Sequence, residues 1–361
     1  MSEPLEIWID AAVGETREAL VRNGRPIALR IARASDEGRR ARWSELYCAR
    51  VREIDRRRRG IFVDLGLRDE AGFLPLGEDG RVRRAGKERV ALTEGAGIVV
   101  HVTREGARGK NPVVELQETG HDGEAPHRIG RHDVDEELVL ARPADAQVRA
   151  RLDAVIEDAL ARIAPLPGGG VLSIEPTSAL VAIDVDAGGR QGTGDPERFA
   201  LELNIAAAQE AARQIRLRNL GGLIAIDFVS MRGKSHQRQL EDAVRAAFAD
   251  DPWSVQFGGL SRFGVFDLAR AQLRRPLHEQ MRDVDGRLSI ETVALMALRG
   301  IECEARAQTG RQIACTIAPE VKAWLDAAEI DWRAQISGRI GMRWTIDSAP
   351  GPRDKIDVRA L

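Results

Sequence analysis

At 361 residues the chain is long enough for two or three domains, each with a core of its own. Hydrophobic residues make up 43% and charged residues 30%, the balance of an ordinary globular protein, and no apolar run approaches the roughly 18–20 residues that cross a bilayer. A formal net charge of −2 announces no polyanionic partner, and Cys48, Cys303 and Cys315 are too scattered for a disulfide framework or a CxxC metal pair.

The acidic N-terminus has no basic-then-apolar export pattern, so a reduced, cytoplasmic setting is expected. Alternation predicts a strand over 5–9, and 17–22 and 26–31 flank Asn23-Gly24, a pair that favours a two-residue hairpin turn. Short strands are expected over 46–54, 61–65, 72–75, 98–103 and 113–116; five in so small a stretch suggest a closed barrel, for which the OB-fold is the common solution. Residues 117–135 read as a polar linker, 137–140 as a strand and 145–163 as a helix, with Val148, Leu152, Val155, Ile156 and Leu160 at helical spacing. The stretch from Pro165 to Gly170 ends that helix.

Strands over 171–175, 180–185, 223–229 and 254–257 then alternate with helices over 196–217 and 235–249. Such alternation predicts a mainly parallel sheet covered on both faces. Residues 288–346 read as helix, strands, helix and hairpin, with Pro319 in the first turn of a helix over 320–328. The fold class is therefore α/β and multi-domain: an OB-fold β-barrel, a mainly parallel α/β sheet and a small C-terminal α/β unit. The expected segments are 1–44, 45–118, 119–167, 168–282 and 283–361.

The informative feature is acid inside apolar strands. In Leu180-Val-Ala-Ile-Asp-Val-Asp186, Asp184 and Asp186 share one strand face, roughly 7 Å apart by the period-two rule. Asp227 interrupts Leu223-Ile-Ala-Ile-Asp-Phe-Val229, which reads as a buried central strand. Ionised carboxylates buried there would cost several kcal/mol without compensating cations. Magnesium, a hard ion held by one or two carboxylates plus waters and phosphate, is the economical partner. The alternative is that each aspartate caps the next helix or pairs with an arginine. Two strands with the same Ile-Asp-apolar pattern favour a site, since open α/β sheets bind ligands at strand carboxyl ends.

Arg232, Lys234, His236 and Arg238 follow the Asp227 strand, and Arg262-Phe-Gly264 follows the next one. Singly these are an ordinary charged face; together they suit a polyanion. His236 reads as a surface or capping histidine, not a base. On the barrel, Phe62 and Phe73 are scarce aromatics in a chain with 4% of them, and Lys110 lies in a Gly-rich basic loop. Aromatic-plus-cation surfaces on such barrels bind single-stranded nucleic acid, although a strand phenylalanine can equally be core. Arginine far outnumbers lysine, which suits phosphate forks and fits a GC-rich genome equally well. The turn at 56–59, four arginines in a row, is exposed on either reading.

Leu217-Arg-Asn-Leu-Gly-Gly-Leu-Ile-Ala-Ile-Asp-Phe-Val-Ser-Met231, with Ser261-Arg-Phe-Gly264 at the matching distance, resembles the catalytic core of the ribonuclease E/G family. So does Ala182-Ile-Asp-Val-Asp186, followed by Asn204 and Glu210-Ala-Ala-Arg-Gln214, while Ile61-Phe-Val-Asp-Leu-Gly66 and Gly72-Phe-Leu-Pro-Leu76 resemble its RNA-binding OB domain. The resemblance implies an endoribonuclease acting on single-stranded RNA of ribosomal precursors or messengers. Its implied catalytic residues are Asp184, Asp186 and Asp227, with Asp184 and Asp227 holding magnesium, for which manganese can substitute. RNA would be gripped by Phe62, Phe73 and Lys110, with Arg238 and Arg262 near the sheet. The implied chemistry is hydroxide attack on a phosphodiester with the metal as Lewis acid, leaving a 5′-phosphate and a 3′-hydroxyl. Residues 168–282 would be the DNase-I-like nuclease domain, and 1–44 with 119–167 a reduced ribonuclease-H-like part.

Three departures stand out. Asp186 falls where known members carry asparagine, which orients the nucleophile. Between barrel and sheet the family's longer segment is cut down to residues 117–166, in which its pocket for the RNA 5′-monophosphate has no counterpart. After Arg274-Arg-Pro-Leu277 the zinc-binding cysteine pair is missing, so no zinc is expected and a zinc-linked dimer is unsupported, whatever homo-oligomer forms. No membrane partner is expected. An RNA-binding protein that kept the barrel and lost efficient cutting is the alternative.

Overall fold

The structure, a computed structural model, describes residues 5–86, 89–107, 109–131, 140–143, 145–189 and 195–361. Three strands open it: β1 (Glu6–Ala12), β2 (Glu15–Arg22) and β3 (Arg25–Arg33). Asn23 and Gly24 take φ of 53° and 70°, the paired positive values of the expected tight turn.

Next come β4 (Glu45–Asp55), β5 (Gly60–Asp64), β6 (Gly72–Pro75), the short pair β7 (Val82–Arg83) and β8 (Arg89–Val90), β9 (Gly97–Arg104) and β10 (Val113–Thr119). β4 pairs with β5, β5 with β6, β6 with β10, β10 with β9 and β9 back with β4, which closes a five-stranded barrel. Ile61, Val63, Leu74, Val100 and Val114 alternate into its core. A further strand, β11 (His127–Arg131), pairs with the outside of β4. It falls in the stretch expected to be a linker. Its one large apolar side chain, Ile129, is 47% exposed, so the strand is held by backbone pairing and leaves no alternating signature. Of the strand expected over 137–140 only Leu140 is among the described residues. It begins β12 (Leu140–Pro143), in a sheet ordered β12-β1-β2-β3. The helix α1 (Ala146–Leu160) follows.

The next sheet is built from β13 (Ile163–Pro165), β14 (Val171–Pro176), β15 (Val181–Asp186), β16 (Gly222–Asp227), β17 (Val255–Leu260) and β18 (Val265–Arg270), in the order β13-β14-β15-β16-β18-β17. Two helices belong to it, α2 (Pro196–Leu217) and α3 (Lys234–Ala247). Asp195 caps α2 by accepting from the Glu197 amide, with Pro196 in the first turn. The sheet is not mainly parallel as expected: only β15 and β16 run parallel, and the other neighbours are antiparallel. Tight turns join most neighbours, and the unanticipated β18 inserts between β16 and β17. Nor, among the described residues, are both faces covered. Ile183, Ile224, Ile226 and Phe266 pack with Leu203, Ala207 and Leu240 of the helices in one core, while Asp184, Asp186, Leu223, Asp227 and Asp267 alternate outward and are exposed.

The chain ends with α4 (Leu277–Met281), α5 (Ile290–Ala307), β19 (Ile313–Ile317), α6 (Pro319–Ala327), α7 (Trp332–Ile340), β20 (Trp344–Ser348) and β21 (Asp357–Ala360). Pro319 takes its first-turn place in α6. Instead of a hairpin, β20 and β21 flank β19, parallel and antiparallel to it, over a core that includes Val293, Leu298, Leu325 and Trp332. Among the described residues no helix is long and apolar enough to cross a membrane.

The elements fall into two compact units, one holding Ala19–Leu29 and Arg151–Leu277, the other Ile7–Glu18, Arg30–Ala150 and His278–Leu361. The second is pinned by buried ion pairs. Asp10, with no exposed surface, accepts from Arg17 (2.7 Å), Arg149 (2.7 Å) and Arg299 (3.0 Å). Glu15 beside it accepts from Arg33 (2.9 Å) and Arg299 (2.8 Å). Burial alone would push both carboxyls up, but the guanidiniums outweigh it and hold them below the usual range.

Candidate functional site

Asp184 and Asp227 lie directly side by side, partners in the parallel register of β15 and β16. Neighbouring strands are about 4.8 Å apart, so the two side chains leave the same face within reach of one ion. Asp186 projects from that face two residues on, opposite Val171 of β14, and its Oδ1 accepts from the Gly188 amide at 2.7 Å in the turn that ends the strand. All three are exposed, contrary to the expectation of buried carboxylates. Alternation puts Asp184 and Asp186 on one strand face, as they are here, but among the described residues no helix covers that face. The burial penalty that seemed to demand a cation therefore does not arise, and the case for a metal rests on adjacent like charges. Two hard oxygen donors on a water-accessible face fit magnesium, which keeps several of its waters.

The strand exit after Asp227 is held from behind. Asn204 of α2, fully buried, donates to the Val229 carbonyl (2.7 Å) and accepts from its amide (3.0 Å). Glu197 accepts from the amides of Arg232 (2.7 Å) and Gly233 (3.3 Å), and His236 Nδ1 lies 3.3 Å from it. The Arg232 amide is the main cause that keeps the Glu197 carboxyl below the usual range. His236, expected as a surface or capping histidine, is partly buried and helps Glu197 anchor the loop before α3.

Arg262 and Arg238 are both exposed. The turn carrying Arg262 joins β17 to β18, and Val265 just after it pairs with Asp227, so this turn adjoins the aspartate end of the sheet. Arg262 stacks on the ring of Phe263 at 4.6 Å, and Phe263 is 76% exposed. Arg238 lies one turn into α3. Sequence reasoning passed over Phe263 as a possible stacking ring and missed Asp267, which shares the open face opposite Ala225. Gly258 leaves that carboxylate its space, since a Cβ there would fall 1.9 Å from it. The signal was present in Val265-Phe-Asp-Leu, another acid between apolar residues at strand spacing.

On the barrel, Phe62 and Phe73 are cross-strand partners with ring centroids 5.7 Å apart, edge to face. They alternate with buried Ile61, Val63 and Leu74 and are themselves half-buried, so they belong to the outer surface and not to the core. Gly60 makes room for the Phe73 ring, because a Cβ there would lie 2.1 Å from it, and the Arg58 guanidinium stands 5.9 Å from the Phe62 centroid. The turn at 56–59 is exposed. Lys110, also exposed, sits in the loop whose Pro112 carbonyl accepts from the Phe73 amide at 2.8 Å, so this loop adjoins the strand that carries Phe73.

Residues 124–273 match the ribonuclease E/G family. Ribonuclease E of Haemophilus influenzae is 32% identical over 215 residues, covering 58% of this chain and 23% of that protein. Ribonuclease E of Escherichia coli is 36% identical over 182 residues, 48% of this chain and 17% of that one. The chloroplastic ribonuclease E/G-like protein of Arabidopsis thaliana is 43% identical over 121 residues, 33% and 12% respectively. The chain thus spans less than a quarter of the length of these relatives.

Proposed function

The chain belongs to the ribonuclease E/G family, and we propose on that footing that it is a cytoplasmic, magnesium-dependent endoribonuclease acting on single-stranded RNA. The observation that carries this reading is the in-register pair Asp184–Asp227 on an open sheet face. Asp184 and Asp227 would hold magnesium, or manganese in its place. The bound ion would supply Lewis-acid polarisation of the phosphodiester and activation of the attacking water. Asp186 would orient the attacking water, and Arg262 and Arg238 would steady the scissile phosphate. The products would carry a 5′-phosphate and a 3′-hydroxyl, and the substrates would be unpaired stretches of ribosomal precursors or messengers.

Capture of the strand falls to the barrel. Phe62 and Phe73 offer π faces to bases of any identity, and Lys110 takes a backbone phosphate. Phe62→Ala or Phe73→Ala should weaken binding of an unstructured RNA by about 1–3 kcal/mol, read by fluorescence anisotropy. Lys110→Ala should flatten the salt dependence by roughly one phosphate contact. Folded phenylalanine variants with wild-type affinity would remove the barrel from the reading.

One observation favours a second reading, an RNA-binding protein with weak cutting. Asp186 stands where the resemblance places an asparagine, and one of its oxygens is already engaged by the Gly188 amide. The two readings part on turnover and not on affinity.

A further inference from the structure

The barrel carries a second set of metal-type donors, assembled by the strand that the sequence hides. In the antiparallel pairing of β4 and β11, His127 lies directly opposite Cys48. The turn before β11 brings Glu124 to the same place. A ligand atom from each of Cys48, Glu124 and His127 lies within 4.8 Å of the other two, the only such group of three among the described residues. Zinc takes this mixture of sulfur, nitrogen and oxygen donors. With bonds of about 2.0–2.3 Å, its ligand atoms sit roughly 3.3–3.8 Å apart, so a closure of about 1 Å would complete the set.

Further observations indicate that these donors are held ready. His127 Nδ1 lies 2.8 Å from the Ala125 carbonyl, an acceptor that fixes the ring proton on Nδ1 and leaves Nε2 with its lone pair. Metal-binding imidazoles are commonly oriented in this way. The turn bearing Glu124 is pinned by Arg50, which donates to the carbonyls of Gly95, Asp122 and Glu124, each at 2.9 Å. His121 Nδ1 lies 3.0 Å from a Glu124 oxygen and holds the carboxylate as well. Cys48 is buried while Glu124 and His127 are exposed, so an ion can enter from solvent and seat its sulfur ligand at the bottom.

We infer that Cys48, Glu124 and His127 form a binding site for a divalent cation of the zinc class, with water as fourth ligand, that clips β11 onto β4. This site is separate in chemistry from the aspartate pair, which offers oxygen alone, and its test needs neither RNA nor cleavage.

The metal-free 361-residue chain should be titrated with cobalt(II) alone and then with zinc. One equivalent of cobalt should bind with a thiolate-to-cobalt charge-transfer band and tetrahedral visible bands, and zinc should displace it. Cys48→Ser should remove the charge-transfer band, while Cys303→Ser should keep it. His127→Ala and Glu124→Gln, both at exposed positions, should each weaken binding by about ten-fold or more. Those two variants keep the test decisive if Cys48→Ser fails to fold. Wild-type protein without a sulfur-to-cobalt band, or a sulfur-to-cobalt band that titrates unchanged in His127→Ala and Glu124→Gln, would overturn the inference.

Discussion

Asp184→Asn and Asp227→Asn should each lower magnesium-dependent RNA cutting by roughly a thousand-fold or more, with little change in RNA affinity. The two carboxylates face each other across one strand pairing, so either substitution halves the anionic donors available to one ion. Loss of a metal's stabilisation of the transition state is worth several kcal/mol, and about 4 kcal/mol is a thousand-fold in rate. Affinity should persist, because bases and most phosphates are gripped by other residues. Asp186→Asn should be milder: asparagine keeps an oxygen for the Gly188 amide and can still orient a water. Single-turnover rates and anisotropy on the same RNA separate the two effects. Near wild-type cutting by either Asp184→Asn or Asp227→Asn would refute the metal assignment.

The largest effect on stability should come from Asp10→Asn. Its carboxylate is wholly buried among Arg17, Arg149 and Arg299, so the substitution leaves three guanidiniums facing a neutral amide. Breaking a buried pair from one side costs roughly 3–5 kcal/mol, which urea titration would read as a lower midpoint. The pH dependence follows from the same contacts. The folded carboxyls of Asp10 and Glu15 lie below their ordinary values of 3.8 and 4.5. The unfolded chain therefore binds more protons in the acid range, and stability rises with pH there. Their contribution is complete above the ordinary values and is lost as pH falls through the lowered, folded ones. Asp10→Asn should flatten that acid limb, and an unchanged limb would mean that other carboxylates govern it.

Legibility in the sequence followed the kind of signal each segment carries. The long helix was read to the residue because Asp195 and Pro196 open it and its apolar face is continuous. The barrel strands are legible because they are short and set off by turn-rich stretches, and alternation puts Asp184 and Asp186 on one face. Alternation cannot say whether that face is covered, which depends on where distant helices pack, and so the aspartates were wrongly expected to be buried. Val265–Arg270 was overlooked because it follows the preceding strand through a tight turn, where helix-separated strands were expected. Its insertion makes the sheet mixed. His127–Arg131 has no apolar pattern at all, since it pairs through its backbone, and with it the juxtaposition of Cys48 and His127 was invisible.

Whether the aspartate pair makes this chain a magnesium-dependent endoribonuclease is decided by incubating the purified protein with an end-labelled, unstructured RNA, with magnesium and with chelator. Internal cleavage is expected only with magnesium, yielding downstream fragments with 5′-phosphates, and none from Asp227→Asn under the same conditions. RNA that is bound but left intact in magnesium, or cut equally well in chelator, would contradict it.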